Sequence, residues 1–243
     1  MDVVYMLGSE SSMDDWELRY SLRSIEKHHI DLQRIWIIGH YPHWVKGVMH
    51  IPQGDPYKSN KDANLIAKIV RLGSVQELSE DFLMMSDDQI LLKDCFKPDY
   101  RPWYNKDMAP MKPEDFAENK WTRRLGRTRD VLLAAGFPAR DYEGHIPYPL
   151  KKSKVHTYLN FDYGHDIGYC VFSLYFNSVN VDGIAQIDSE RVRAGFYGTK
   201  PPNEAVDRKL RENRFLNFNP GGFTDYMKQK VEERFPDASR YER

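Results

Sequence analysis

Short apolar runs alternate with segments of helical period along the first 94 residues. Asp2-Val-Val-Tyr-Met-Leu7 reads as a buried strand ended by Gly8-Ser9, and Arg34-Ile-Trp-Ile-Ile-Gly39 as a second that closes in a Gly-His-Tyr-Pro turn. Val48-Met-His-Ile51 predicts a third strand, with His50 near its end. Between the first two, Leu18, Leu22 and Ile25 recur at helical spacing, and Asp14 and Asp15 are N-cap candidates for a helix reaching about His29. Asn60-Lys-Asp62 caps a second helix carrying Leu65, Ile66, Ile69, Val70 and Leu72, which Gly73 stops. Strand, helix, strand, strand, helix, strand predicts an α/β fold with a mainly parallel central sheet and helices on its faces.

The next run, Phe82-Leu-Met-Met-Ser-Asp87-Asp88-Gln-Ile-Leu-Leu92, delivers two adjacent carboxylates and then turns apolar again. A buried strand bounded this way puts the acids at its C-terminal end, where open α/β sheets bind ligands. Paired carboxylates there suit Mg²⁺ or Mn²⁺, hard cations that take oxygen ligands and bridge to substrate phosphates. An Asp-Asp pair that merely fills a turn or caps a helix is the structural alternative.

Beyond Cys95 the texture changes. Residues 95–113 are rich in Pro, Tyr, Trp, Asn and Met without a clean period, which predicts a long irregular excursion of the kind that forms lids. Helices are expected over 113–135, stopped at Gly136, over 167–179, and over 222–235, ended by Pro236. Without a linker or repeat to split it, the chain is expected to form one domain, with residues 1–94 as a nucleotide-binding half and 95–243 as an acceptor-side half.

Composition narrows the partners. The 35 basic and 36 acidic residues give a net charge of −1, so no global field would hold a polyanion. The densest basic stretch, Trp121 to Arg129, could meet anions locally or form a solvated helix face. Two cysteines, Cys95 and Cys170, and no long apolar segment or leader fit a cytoplasmic protein without a membrane span.

Among candidate groups, Arg19 and Arg23 lie four apart on one helix face, and their forked donors match phosphate oxygens. Ion pairing with Asp15, Glu17 or Glu26 would explain them equally. His145, in Gly144-His-Ile-Pro-Tyr-Pro149, is followed by two prolines that stiffen the backbone holding its ring. Such a histidine can take a proton from a hydroxyl at neutral pH, or sit in a loop without chemistry. His165-Asp166 opens the next helix in a turn or capping role. Zinc-ligand spacing, a P-loop, a dinucleotide fingerprint and a nucleophile elbow are all missing.

Four blocks of the chain resemble the Stealth family, which includes capsular polysaccharide hexose-1-phosphate transferases and the catalytic part of the lysosomal-enzyme N-acetylglucosamine-1-phosphotransferase. They are Glu17 to Lys27 with Arg34 to Ile38; Ser59-Asn60 through Asp88; His145-Ile-Pro147 with Phe172 to Asn177; and Phe235-Pro-Asp-Ala-Ser-Arg-Tyr-Glu242. The resemblance implies a GT-A-like nucleotide-diphospho-sugar transferase fold and a divalent cation at Asp87 and Asp88. By the same carry-over Arg19, Arg23, Asn60 and Asp87 would bind a nucleotide-sugar donor such as a UDP-sugar, and Asp88 and His145 would be catalytic, with His145 as proton acceptor. Two departures stand out. Tyr5-Met-Leu-Gly-Ser9 lacks an aspartate before its glycine, and Asp162-Tyr-Gly-His165 stands where the family carries an arginine suited to a transferred phosphate.

Transfer of a sugar-1-phosphate needs cationic clamps on the phosphoryl oxygens, whereas glycosyl transfer needs mainly a stabilised leaving diphosphate. The missing arginine favours glycosyl transfer to a glycan or other hydroxyl, unless Arg123, Arg124, Arg127, Arg129, Arg191 or Arg193 reaches the site from elsewhere. Two alternatives are kept: a sugar- or nucleotide-binding member of the fold without catalysis, and a transferase acting on a modified nucleic-acid base. The near-neutral charge makes the nucleic-acid partner the weaker of the two.

Overall fold

The computed structural model describes residues 1–8, 11, 13–181, 183–185 and 192–243; Ser9 and Arg191 lie outside the described residues. In chain order the first half contains β1 (Asp2–Leu7), α1 (Trp16–His28), β2 (Ile35–Gly39), β3 (Met49–Ile51), α2 (Lys61–Leu72), β4 (Asp81–Met85) and β5 (Gln89–Leu91). The second half contains β6 (Trp103–Tyr104), β7 (Lys106–Asp107), α3 (Lys120–Ala134), β8 (Arg140–Asp141), β9 (Tyr148–Lys151) and α4 (Val171–Ser178). It continues with β10 (Ile184–Ala185), β11 (Arg193–Phe196), α5 (Asn203–Glu212), β12 (Phe215–Phe218) and α6 (Asp225–Arg234).

The expected α/β class is what forms. The central sheet has the order β3-β2-β1-β4-β9; its first four strands are parallel and β9 runs antiparallel to β4. Helices cover both faces, which is why β1 and β2 are buried at every position and read as continuous apolar runs. Strand order reverses between β1 and β4, so a crevice opens beyond their C-terminal ends. A smaller sheet, β11-β12-β5, starts immediately after the turn that carries Asp87 and Asp88. It belongs to a second apolar cluster with Val206, Leu210, Met227 and Val231 from α5 and α6.

Several boundaries differ from expectation for local reasons. Asp15 does not cap α1: its φ is 54° and its carboxylate takes the Trp44 indole N–H at 3.0 Å. Pro113 opens a separate 3₁₀ turn (Pro113–Phe116), and Asn119 accepts from the N–H groups of Trp121 and Thr122, so α3 starts only at Lys120. Gly168, at φ +75°, breaks the chain direction before α4, which begins at Val171; His165 and Asp166 therefore lie in a turn ahead of that helix. The 95–113 excursion is tied down by β6, paired with β10, and β7, paired with β8. Asn60, by contrast, caps α2 as expected, accepting from Ala63 N–H at 3.0 Å.

Three polar clusters fix the frame around the crevice. Asp2, fully buried, accepts from Arg34, Trp36 and the Ser79 N–H, joining β1, β2 and the approach to β4. Ser21 on α1 donates to the Gln89 carbonyl at 2.5 Å. Its only proton is thereby used, so the Tyr5 hydroxyl 2.8 Å away donates to it. One serine thus ties β1, α1 and β5 together beside the acid pair.

The third cluster joins the two ends of the chain. Glu242 accepts Arg23 Nε at 2.7 Å, Arg23 Nη2 at 2.9 Å and Arg19 Nη1 at 2.8 Å, while the Ser239 N–H donates to it at 2.9 Å. Burial alone would raise this carboxyl; the Arg23, Ser239 and Arg19 bonds outweigh it and hold the pKa at about 2. A carboxyl held low contributes stability that is full above its ordinary 4.5 and lost as pH falls towards 2. Glu242→Gln should therefore cost about 2 kcal/mol near neutral pH and flatten the acid limb between those values, measured by urea unfolding at each pH. A variant with the wild-type acid limb would detach Glu242 from that dependence.

Candidate functional site

The β4–β5 turn places both carboxylates at the mouth of the crevice. Asp87 and Asp88 are half-buried, and among the described residues neither meets a Lys or Arg at ion-pair distance. Their own backbone supplies part of their hydrogen bonding, with Asp88 N–H donating to Asp87 Oδ1 at 3.2 Å. Burial and the nearby Glu17 raise the pKa of Asp87, and burial and Asp87 raise that of Asp88. Glu17, on α1, is itself buried; Ser11 donates to its Oε1 at 2.9 Å, but its Oε2 has no partner. Three acidic side chains thus share a partly buried region. Among the described residues none of the three meets a Lys or Arg at ion-pair distance, and an orphaned carboxylate oxygen lies among them.

That donor set fits a hard divalent cation. Among the described residues no group of three His, Cys, Asp or Glu side chains is arranged to hold a metal by itself. Two carboxylates with the remaining positions left to water and phosphate oxygens is, however, the usual arrangement for Mg²⁺.

Beside the pair lies a cavity of 470 Å³, a size suited to a nucleotide-scale ligand, lined among others by Leu7, Asp55, Tyr57, Asn64, Lys68 and Asp87. Lys68 is almost wholly buried; it donates to the Leu7 carbonyl at 3.1 Å and pairs with Asp55 at 2.6 Å, keeping the ends of β1 and α2 together. Gly39 ends β2 at φ +115°, where a Cβ would collide with the Leu7 carbonyl.

His145 lies in the segment just before β9. Its backbone is left-handed, at φ 49°, a conformation costly for a residue with a Cβ and held here by its surroundings. Its N–H donates to the Tyr148 hydroxyl at 2.8 Å, and Arg193 Nη1 donates to the preceding Gly144 carbonyl at 2.5 Å. The ring is exposed to solvent, 5.5 Å from the Tyr197 ring. Protein packed beside it and the Arg193 charge lower its pKa to about 4, so the imidazole is neutral at pH 7, with a nitrogen lone pair that can accept a hydrogen bond from a hydroxyl. Tyr197 in turn donates to Asn217 Oδ1, and Asn217 Nδ2 donates to the Asp88 carbonyl at 3.3 Å.

A chain of contacts, from the His145 ring to Tyr197, from Tyr197 to Asn217 and from Asn217 to the Asp88 carbonyl, links the histidine to the acid turn, with Arg193 beside the histidine. Arg19 and Arg23 instead meet Glu242, a partner 223 and 219 residues away that local spacing could not suggest. Arg19 also lies over the Trp44 ring, 4.1 Å from its centroid. Asn60 spends its side chain on the α2 cap and on the carbonyls of Tyr163 and His165, at 3.2 and 2.5 Å. Within the basic stretch of α3, Arg124 pairs with Asp62, Arg129 with Asp130, and Arg127 donates to the Tyr169 hydroxyl.

Sequence reasoning did not find Glu17, Glu143, Tyr197 or Asn217 as site residues. Glu143 precedes His145 by two positions and receives the N–H and hydroxyl of Ser173 at 2.8 and 3.0 Å. Burial pushes its pKa up to about 8 against the opposing Ser173 bond, with Asp141 adding to the rise. A carboxyl held high binds its proton more tightly in the folded state, so it costs stability increasingly as pH rises from 4.5 to 8. Glu143→Gln should match the wild type in thermal stability near pH 4 and exceed it near pH 8. A difference that does not grow with pH would contradict this.

The sheet order, the crevice at its reversal and the acid turn beside it define a fold of the nucleotide-diphospho-sugar transferase, GT-A-like kind. Two solved structures are similar over almost the whole chain: galactosyltransferase LgtC in complex with donor and acceptor sugar analogs, and an active-site mutant of LgtC. Each covers 99% of this chain and 98% of its own at 12% identity, with TM-scores of 0.52 and 0.51. At that identity the likeness is one of fold. No family model and no curated protein matches the chain, so the Stealth resemblance rests on its four blocks.

Proposed function

We propose that this chain is a nucleotide-sugar-dependent glycosyltransferase that modifies an acceptor hydroxyl. The observation that carries the reading is the acid pair Asp87–Asp88 at the sheet's reversal point, which no Lys or Arg among the described residues meets at ion-pair distance, next to the 470 Å³ cavity and linked through Asn217 and Tyr197 to His145. In this scheme the cavity holds the nucleoside, and Asp87 and Asp88 hold Mg²⁺ or Mn²⁺. The metal, when bound, would supply positive charge to the departing diphosphate. His145 accepts the acceptor hydroxyl's proton, its ring held by the strained backbone and by Tyr197. Arg23 and Asn60 contribute to donor binding only through the frame they hold, since internal partners occupy their polar atoms, whereas Arg19 gives Nη1 to Glu242 and keeps a partly exposed guanidinium. The chain would act as one catalytic domain, with residues 1–94 on the donor side and 95–243 on the acceptor side. The described residues include no helix long and apolar enough to cross a membrane.

Sugar-1-phosphate transfer, the chemistry of the Stealth resemblance, is the second reading, and one observation favours it. Arg193 brings a guanidinium next to His145, the kind of cation that the 162–165 segment lacks. The nucleotide product separates the two, because glycosyl transfer from a UDP-sugar releases UDP and sugar-phosphate transfer releases UMP.

Incubation with labelled UDP-sugars and Mn²⁺ should release UDP, and Asp88→Ala should lower turnover at least about 100-fold with the melting curve retained. His145→Ala should lower kcat by about 10²-fold or more and leave donor binding nearly unchanged. Release of UMP would move the chain to the second reading. Full turnover in folded Asp88→Ala would remove the acid pair from the mechanism.

A further inference from the structure

The proposed acid and base come from distant parts of the chain, and one buried amide lies between them. Asn217 sits in the middle of β12, fully buried, opposite Gln89 in the antiparallel pairing with β5. Buried amides are costly unless all their groups are answered, and this one has partners on both sides of the site. Its Nδ2 donates to the Asp88 carbonyl at 3.3 Å. Its Oδ1 receives the Tyr197 hydroxyl, whose ring lies against His145. The orientation of the amide follows from chemistry. The Asp88 carbonyl is an acceptor, so the NH₂ must face it, and the oxygen must then face the tyrosine donor.

We propose that Asn217 is a positioning residue that locks the Asp88 backbone and the Tyr197 ring, and through it His145, into a single arrangement. Tyr197 keeps the amide from flipping. The amide in turn fixes the Asp88 peptide from which the carboxylate that would bind the metal projects, while Arg193, on the neighbouring strand β11, holds the histidine's loop by the Gly144 carbonyl. The β11–β12 pair thereby couples the two halves of the site. This inference rests on the transferase reading for its purpose, but the coupling can be measured in the free protein.

The test uses the full chain, Mn²⁺ alone as probe, and two variants. Asn217→Leu keeps the shape and removes every hydrogen bond; Tyr197→Phe removes one hydroxyl from an exposed ring that the fold does not need. Mn²⁺ binding is read by electron paramagnetic resonance, and the His145 ring by its NMR signals. Asn217→Leu should weaken Mn²⁺ binding about tenfold or more and move the His145 resonances, although it touches neither the metal nor the histidine. Tyr197→Phe should weaken Mn²⁺ binding severalfold, and in the double variant it should add nothing to the loss caused by Asn217→Leu. A folded Asn217→Leu with wild-type Mn²⁺ affinity and unmoved His145 signals would reduce Asn217 to a core residue and overturn the proposal. If Asn217→Leu does not fold, Tyr197→Phe decides: unchanged Mn²⁺ affinity overturns the coupling. Wild-type protein without Mn²⁺ affinity would instead sink the transferase reading, and movement of the His145 signals in Asn217→Leu would then decide the coupling by itself.

Discussion

The turn between β4 and β5 confines two half-buried carboxylates that no Lys or Arg among the described residues meets at ion-pair distance, and the rest of the site is organised around that constraint. Burying like charges is expensive, and a fold keeps such an arrangement only where something else repays it. Here the turn cannot relax. Ser21 holds the Gln89 carbonyl, Ser24 receives the Leu91 N–H, and the Gln89 side chain receives the Ser86 N–H, so the backbone on both sides of the acids is pinned. Glu17 adds a third carboxylate with an unanswered oxygen. On the proposed transferase reading, a divalent cation would supply the positive charge that the described side chains do not.

Around this turn the chain closes on itself. Its last residues lie against its first helix through Glu242, Arg19 and Arg23, and the Val45–Glu242 bridge joins them to the segment before β3. Two of the blocks that carry the Stealth resemblance, the first helix and the C-terminal Phe-Pro-x-x-Ser-x-Tyr-Glu, are thus two sides of one ion-pair cluster. Arg19 and Arg23, which sequence spacing offers as phosphate ligands, hold α1 against the C-terminal segment through Glu242, while α1 carries Ser21 to the Gln89 carbonyl beside the acids.

How far the sequence could be read depended on how local the determining contacts were. β1, β2 and β4 declare themselves as unbroken apolar runs because helices cover both faces of a parallel sheet, and the Asp pair is legible because it interrupts such a run. Asn60 is legible as a cap for the same local reason. His145 was visible through its proline neighbours, yet its left-handed backbone and its proximity to Arg193 and Tyr197 come from β9 and β11, about 50 residues apart in sequence. Asn217 was invisible: a polar residue in Phe-Leu-Asn-Phe weakens the strand signal, and only the pairing of β12 with β5 reveals that its amide faces Asp88. Residues 180–221 carried no structural expectation, although they supply β11, α5 and β12.

The central claim is that the Asp87–Asp88 turn binds a nucleotide diphosphate through a divalent cation. Calorimetric titration of UDP into the protein, with and without Mn²⁺, tests it most directly, using wild type and Asp88→Asn in parallel. The account predicts binding by the wild type that requires Mn²⁺ and is lost in a folded Asp88→Asn. Equal UDP affinity with and without the metal, or in wild type and variant alike, would contradict it.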